Sequence, residues 1–203
     1  MLDMMSYDEF LTNEAFPIVK DKTVLEIGAL NDKITNCIKN AGASHVETVD
    51  PFGKATFRGT ANDYYNTRVD KFDVVTCMGL LYHLHSPFHL LELIINQSEP
   101  DTLIVETGPT VLIGGNGIGE ELFNVTGNAW PDKGVKHPLK IHSAIGKDDF
   151  VRAIETTPMK LDKYWDYKDV LGNEDFTFYL GRDENMVPGK NGKMWLGVFN
   201  REE

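Results

Sequence analysis

Cysteine is scarce in this chain, which argues against a disulfide-bonded framework and against a cysteine-ligated metal centre. Its 203 residues include only Cys37 and Cys77. The first falls on a predicted amphipathic helix and the second ends a predicted buried strand, so we expect reduced core residues rather than a disulfide framework. His83, His85 and His89 lie close together in sequence, but no cysteine or carboxylate cluster completes a coordination set beside them. We therefore expect no metal centre.

Long apolar runs are also missing. No stretch approaches the roughly 18 apolar residues that indicate a transmembrane helix. Residues 1–25 do not show the basic start followed by an apolar run that marks a secretory signal. These absences disfavour membrane spanning and secretion, and they predict a cytoplasmic protein.

Positively charged residues are outnumbered. The chain has 20 Lys and Arg against 31 Asp and Glu, a formal net charge of −11 and a pI near 5.0. Such a protein lacks a general attraction to phosphate backbones or anionic membranes, although a local basic patch stays compatible with this balance. The charge makes nucleic acid an unlikely partner and favours a small-molecule substrate. Nothing in the sequence indicates an oligomeric state.

Apolar runs and helical patterns alternate along the first half of the chain. Within residues 34–41 the apolar positions recur at helical spacing, and Gly42 follows where a glycine commonly ends a helix. Alternating strands and helices are typical of parallel α/β sheets. We predict a single doubly wound, Rossmann-like α/β domain over residues 1–203, with a mainly parallel seven-stranded sheet and an antiparallel C-terminal strand. Its first strands are predicted at Thr23–Ile27, His45–Val49, Ala55–Arg58, Phe72–Cys77 and Thr102–Thr107.

Two segments stand outside this alternation. Scattered apolar residues in 1–21 predict a short helical cover against the sheet. Glycines and prolines interrupt residues 108–145, so we interpret that segment as an insertion over the presumed active-site edge and as a candidate lid; a structural loop is the alternative. The remaining elements are predicted at Lys147–Glu155 (helix), Lys160–Tyr167 (strand) and, as a hairpin, Phe176–Leu180 and Met194–Phe199.

The turn after the first predicted strand is the first candidate binding feature. Gly28, in Glu26-Ile-Gly28-Ala-Leu30-Asn31, lets the backbone approach a ligand closely, since a Cβ there would intrude. Leu30 stands where dinucleotide-binding loops have a second glycine, which speaks against a phosphate cradle. An ordinary strand-to-helix turn is the competing interpretation.

Asp50 lies 22 residues beyond Gly28, where the second predicted strand ends. A carboxylate at this spacing is expected to accept hydrogen bonds from the ribose hydroxyls of an adenosine ligand. A capping aspartate in the Asp-Pro turn is the alternative. The combined spacing favours the binding interpretation.

The most informative segment is Phe72–Leu91. Its buried strand is followed by Met-Gly-Leu-Leu-Tyr-His-Leu-His-Ser-Pro, which lies at the carboxyl end of a central strand, where open α/β sheets bind ligands. Together with Val-Leu-Glu-Ile-Gly and Val-Asp-Pro, the segment resembles class I S-adenosylmethionine-dependent methyltransferases. Within them it is most similar to the tRNA wobble-uridine carboxymethyltransferase group. The resemblance covers about residues 22–107.

The resemblance implies S-adenosyl-L-methionine as cofactor and assigns residues to it. Asp63 would receive the adenine amine, although a solvated aspartate is the alternative. Met78 would lie against the adenine or the sulfonium, and the Tyr82 ring would face the sulfonium, unless both are core residues. The implied cofactor-binding set is Glu26, Gly28, Asp50, Asp63, Met78 and Tyr82.

The same resemblance bears on whether the protein transfers a methyl or a carboxymethyl group. Leu84 replaces an arginine that often follows the Tyr-His pair in the carboxymethyltransferase group, and the acidic chain favours plain methyl transfer. We interpret His83, if not structural, and His142 as catalytic candidates. Trp130 and His137 are candidates for acceptor binding. The expected function is methyl transfer to a small molecule by in-line displacement; a non-catalytic adenosyl-ligand binder, a nucleic-acid methyl or carboxymethyl transferase and a nicotinamide-dependent oxidoreductase are the alternatives.

Overall fold

A twisted sheet with helices on both faces organises the chain. The computed structural model describes residues 5–68, 70–81, 84, 87–107, 147–171 and 194–202. The strands are Thr23–Ile27 (β1), His45–Val49 (β2), Val74–Met78 (β3), Thr102–Thr107 (β4), Met159–Asp166 (β5) and Trp195–Arg201 (β6). The α-helices are Tyr7–Phe10 (α1), Asp32–Asn40 (α2), Ala61–Thr67 (α3), Pro87–Leu93 (α4), Lys147–Ile154 (α5) and Tyr167–Leu171 (α6).

The strand order within these ranges is β2-β1-β3-β4-β6-β5. Neighbouring strands among the first four are parallel, whereas β6 is inserted antiparallel between β4 and β5. β3 and β4 are buried along their whole length, which explains why apolar residues occupy consecutive positions in them, such as Val74 and Val75 or Leu103 to Val105, rather than alternate ones. The prediction of a doubly wound, mainly parallel α/β fold is confirmed.

The prediction of seven strands is not confirmed in the described residues, and one reason lies after β2. The segment predicted as a strand at Ala55–Arg58 makes a single parallel bridge, between Phe57 and Val49. Gly53 and Gly59 flank this segment, and its few apolar residues leave little to bury against a neighbouring strand. The described part of the chain therefore forms a six-stranded sheet.

The predicted C-terminal hairpin also needs correction. β6 pairs with β4 along one edge and with β5 along the other, so both edges are occupied. The expected partner strand, Phe176–Leu180, lies outside the described residues, as does the proposed lid at 108–145. β6 therefore takes part in an antiparallel pair with Met159–Asp166 instead.

The N-terminal helices lie on one face of the sheet. Ser6 and Glu9 form a capping box at the start of α1, which continues into a π-helical turn, Leu11–Ala15. Phe10 and Phe16 pack there in one buried cluster with Val24, Met78 and Ile104 of the sheet. The opposite face has its own core beneath α3, α4 and α5. Among the described helices, none has the length and apolar character needed to cross a bilayer.

Candidate cofactor and acceptor site

The carboxyl ends of β1, β2, β3 and β4 meet at one edge of the sheet, because these strands are parallel. Gly28 directly follows β1, Asp50 directly follows β2 and Gly79 directly follows β3. Ligands of open α/β sheets bind at this edge. The sequence analysis located several of its candidate residues here, and the structure brings them together.

The turn after β1 requires a glycine. Gly28 has a φ of +92° and donates its N–H to the Val49 carbonyl oxygen over 2.8 Å. An added Cβ at Gly28 would lie 3.2 Å from the Leu80 Cβ and 3.3 Å from its Cδ2. Any other residue would therefore meet backbone strain and a side chain from the turn after β3.

Asp50 shapes the turn after β2. Its Oδ1 accepts the N–H groups of Phe52 and Gly53, both over 2.7 Å. The side chain is buried, at 4% exposure. One oxygen of the Asp50 carboxylate therefore stabilises the turn, as expected for a capping aspartate. The Oδ2 atom takes no part in those two bonds, so turn formation and ribose binding are compatible.

Gly53 was missed by the sequence analysis. An added Cβ there would lie 2.5 Å from the Ala29 carbonyl oxygen and 2.8 Å from that of Leu30. These are backbone atoms, which cannot rotate away as a side chain can. The turns after β1 and β2 are thus packed backbone against backbone. A glycine three residues after Asp50 was the only local signal for this contact.

Glu26 is a buried carboxylate just before the Gly28 turn. Its Oε2 accepts a hydrogen bond from the Thr35 hydroxyl over 2.6 Å. Burial raises its pKa to about 7, while the Thr35 hydrogen bond and the charge of Lys39 act in the opposite direction. A titrating carboxylate therefore lies beside the glycine turn, where an ammonium group of a ligand would be attracted to it.

Asp63 helps to cap the N-terminus of α3. It is the third residue of α3, and its Oδ2 accepts hydrogen bonds from the backbone N–H and the hydroxyl of Thr60, over 2.9 and 2.7 Å. These hydrogen bonds lower the pKa of the exposed Asp63 carboxyl. This capping box explains why an aspartate stands here. A contact with adenine stays a prediction.

The other predicted site residues divide into two groups. Met78 ends β3 and is buried in the cluster under the N-terminal helices. Five predicted site residues lie outside the described residues: Tyr82, His83, Trp130, His137 and His142. Their roles stay predictions. In the described ranges no group of three or more His, Cys, Asp and Glu side chains has the arrangement of a metal site.

Two large apolar side chains are exposed at this edge. Leu30 is 47% exposed in the turn after β1, and Phe52 is 49% exposed in the turn after β2. Because the two turns pack closely at Gly53, both side chains lie on neighbouring loops. Such residues provide apolar surface next to a polar anchor, an arrangement common in small-molecule sites.

Glu106 was also missed by the sequence analysis. It lies near the carboxyl end of β4 and is fully buried. Its Oε2 accepts hydrogen bonds from the hydroxyls of Tyr7 and Tyr167, over 2.6 and 2.5 Å. Its Oε1 is buried and has no hydrogen-bond partner in the described structure. Both tyrosines are distant in sequence, so no local pattern indicated this cluster.

The sheet order and the site at its carboxyl edge define a Rossmann-like methyltransferase fold. A methyltransferase-domain family matches residues 6–114, more than half of the chain. The protein belongs to this methyltransferase family. The predicted resemblance to class I S-adenosylmethionine-dependent methyltransferases is thereby confirmed. The narrower likeness to the tRNA wobble-uridine carboxymethyltransferase group stays a prediction. No curated protein sequence matches the chain significantly.

Solved structures agree on the fold at low sequence identity. Geranyl diphosphate methyltransferase in complex with S-adenosylmethionine superposes with a TM-score of 0.60 at 12% identity, covering 96% of this chain and 84% of its own. Magnesium protoporphyrin IX methyltransferase from Synechocystis PCC 6803, also with S-adenosylmethionine, gives 0.56 at 10% identity, covering 96% and 76%. A small RNA methyltransferase gives 0.55 at 14% identity, covering 100% of this chain but 26% of its own.

Proposed function

We propose that this protein transfers the methyl group of S-adenosyl-L-methionine to a small-molecule acceptor. The observation that carries the proposal is the paired turn at the carboxyl edge of the sheet. There the absence of a side chain at Gly53 lets the Gly28 turn and the Asp50 turn pack closely against each other. The solved methyltransferases of this fold that contain S-adenosylmethionine support the choice of ligand.

The adenosine part of the cofactor is assigned to the β2 side. Asp50 would bind the ribose hydroxyls through Oδ2 while its Oδ1 maintains the turn. Leu30 and Phe52 would supply apolar contact. Asp63 is the candidate for the adenine amine. This side of the site needs no phosphate cradle, because the ligand carries no phosphate, and Leu30 in place of a second glycine is therefore tolerated.

The amino-acid part is assigned to the Gly28 turn. Gly28 has no Cβ, so the ligand can pass close to the backbone. Glu26 lies just before it and would attract the α-ammonium group, directly or through water. Thr35 holds the Glu26 carboxylate in one orientation. The acidic side chain favours a ligand with a positive charge at this point.

The methyl group would then lie over β3 and β4. The cofactor is an activated donor, because its sulfonium is a good leaving group, so the protein has to align the acceptor and exclude water. Met78, which is buried in the cluster under the N-terminal helices, would contact the sulfonium region from below, and Tyr82 and His83 are the sequence-predicted partners that follow it. The displacement forms the bond to the acceptor as the methyl–sulfur bond breaks.

A small-molecule acceptor fits the charge of −11, which opposes binding to a phosphate backbone. Two of the similar structures are named for geranyl diphosphate and magnesium protoporphyrin IX, whereas a third is named for small RNA. The alternative of a non-catalytic binder is favoured by Leu30, which departs from the usual glycine-rich turn.

Calorimetric titration with S-adenosylhomocysteine tests the cofactor site. Labelled S-adenosylmethionine, incubated separately with fractionated metabolite pools and with total RNA, tests transfer. We expect binding and a labelled product. Absence of binding contradicts the proposal altogether. Binding without transfer to any pool identifies the non-catalytic alternative, and transfer to RNA alone identifies a nucleic-acid substrate.

A further inference from the structure

Glu106 is a buried carboxylate that the cofactor assignment leaves unused. It lies on β4 opposite Met78 of β3 and Leu196 of β6, on the face covered by the N-terminal helices. Tyr7 comes from α1 and Tyr167 from α6. Three separate parts of the chain thus converge on one carboxylate at the carboxyl edge of the sheet.

The two carboxylate oxygens differ in their surroundings. Oε2 accepts both tyrosine hydroxyls, so the side chain is fixed in one orientation. Oε1 is equally buried but accepts nothing in the described part of the chain. A buried polar atom without a partner typically costs about 1–3 kcal/mol, and native structures contain few of them. A purely structural link between α1, β4 and α6 needs only Oε2.

Burial also raises the pKa of Glu106, against the effect of the hydrogen bonds from Tyr167 and Tyr7. Its ionised form is therefore costly, and a further hydrogen-bond donor at Oε1 would stabilise it. The two tyrosines hold the acceptor oxygen in advance, which is the arrangement expected of a preorganised recognition group.

The position of Glu106 agrees with an acceptor site. A cofactor anchored at Asp50 beyond β2 and at Glu26 on β1 extends along the strand order toward β3 and β4. Met78, the last residue of β3, is the direct register partner of Glu106. A group bound to Glu106 therefore lies beside the residue assigned to the sulfonium end.

We propose that Glu106 is the specificity-determining residue for the methyl acceptor, and that its Oε1 accepts a hydrogen bond from a hydroxyl or amino group of that molecule. The acceptor class is thus a small molecule with an N–H or O–H group at or next to the methylated position. This inference rests on the proposed function.

The test uses the full chain saturated with S-adenosylhomocysteine. Two related fragments, phenol and anisole, are titrated by ligand-observed NMR, because a methyl group in anisole replaces the hydroxyl proton of phenol and removes the donor. We expect phenol to bind about tenfold or more tightly than anisole, the effect of one buried hydrogen bond. Equal affinities, or no binding of phenol, overturn the inference.

Glu106→Gln gives the sharper comparison. Its side-chain oxygen still accepts the hydroxyls of Tyr7 and Tyr167, while an amide NH₂ takes the place of Oε1 and donates instead of accepting. The preference for phenol should disappear, and acetophenone, which only accepts, should gain affinity. A merely structural Glu106 would lower thermal stability without changing which fragment binds.

Two further variants keep the result interpretable. Glu14→Gln, an exposed change in the N-terminal helices, should leave the phenol preference unaltered. Tyr7→Phe removes one hydroxyl but keeps the carboxylate and its hydrogen bond from Tyr167, so phenol should still bind more tightly than anisole, by a smaller factor than in wild type, even if Glu106→Gln fails to fold. Complete loss of the preference in Tyr7→Phe contradicts the inference. S-adenosylhomocysteine affinity is measured in every protein. Failure of wild type to bind it rejects the proposed function, whereas binding without the phenol preference rejects only the role of Glu106.

Discussion

A Cβ atom at Gly53 would lie 2.5 Å from the carbonyl oxygen of Ala29. The two residues belong to turns that follow different strands, β1 and β2, and their contact leaves no space for any side chain. The position of Asp50 relative to Gly28 is therefore fixed by backbone packing. This matters because the two residues are assigned to opposite ends of the same ligand.

Gly53→Ala should push these turns apart. We expect a loss of about 1–3 kcal/mol in the free energy of unfolding, as in other overpacked sites. Calorimetry should show clearly weaker binding of S-adenosylhomocysteine, because Asp50 and Gly28 no longer match one ligand. Gly59→Ala is the comparison: its added Cβ would also be crowded, but by Cε1 of the Phe57 side chain rather than by the backbone of the other turn. Unchanged affinity in Gly53→Ala would show that the paired turns do not hold the cofactor.

Gly28→Ala and Gly42→Ala form a second matched pair. Both glycines have a φ near +90°, at +92° and +94°, so each alanine carries backbone strain of about 1–3 kcal/mol. Gly28 faces an additional close contact with Leu80, whereas the added Cβ at Gly42 makes ordinary contact with Lys20. We expect both variants to melt earlier, but only Gly28→Ala to lose affinity for S-adenosylhomocysteine. If both variants lost affinity equally, the loss would reflect reduced stability rather than a direct role of Gly28 in binding.

Asp50 can be tested without destroying its turn. Asp50→Asn retains an Oδ1 that accepts the N–H groups of Phe52 and Gly53, while the negative charge is lost. We expect S-adenosylhomocysteine binding to weaken by about 1–3 kcal/mol, the range for a charge-assisted hydrogen bond, with thermal stability nearly unchanged. Asp50→Ala should lose both binding and stability. If Asp50→Asn binds as wild type does, the aspartate serves the turn alone.

Local sequence patterns predicted the elements that depend on local chemistry. Asn31 caps α2 by accepting the N–H of Lys33, and Gly42 has the left-handed conformation expected beyond a helix end. Cys37 and Cys77 are buried and unpaired, as expected. The predicted bounds of β1, β2 and β4 agree with the structure, whereas β3 begins two residues and ends one residue later than predicted.

The features that the sequence analysis missed depend on long-range contacts instead of local patterns. The Gly53–Ala29 contact and the cluster of Tyr7, Glu106 and Tyr167 join residues far apart in sequence, and each depends on the sheet order. Glu106 looks like a single acidic interruption of an apolar strand until its partners are brought to it. The Asp63 side chain shows a related ambiguity, since one carboxylate suits both a helix cap and a ligand contact.

Glu26 predicts a pH dependence of cofactor binding. Its pKa of about 7 in the folded protein lies above the ordinary value of 4.5, because burial disfavours the charged form. The ammonium group of S-adenosylhomocysteine favours ionised Glu26, so binding below pH 7 should release a proton and affinity should rise from pH 6 to pH 8. Calorimetry in two buffers of different ionisation enthalpy measures that proton directly.

The same shift predicts how the stability of the ligand-free protein changes with pH. A raised pKa means that the folded protein holds a proton more tightly than the unfolded chain does. The stabilisation is fully present below about pH 4.5 and is lost as the pH rises through about 7. Glu26→Gln, which stays neutral and can still accept the hydroxyl of Thr35, should gain relative to wild type by up to about 3 kcal/mol between pH 4.5 and pH 8. It should also bind S-adenosylhomocysteine more weakly and without proton release. If the denaturation midpoints of wild type and Glu26→Gln change with pH in the same way over this range, Glu26 is not the titrating group beside the cofactor.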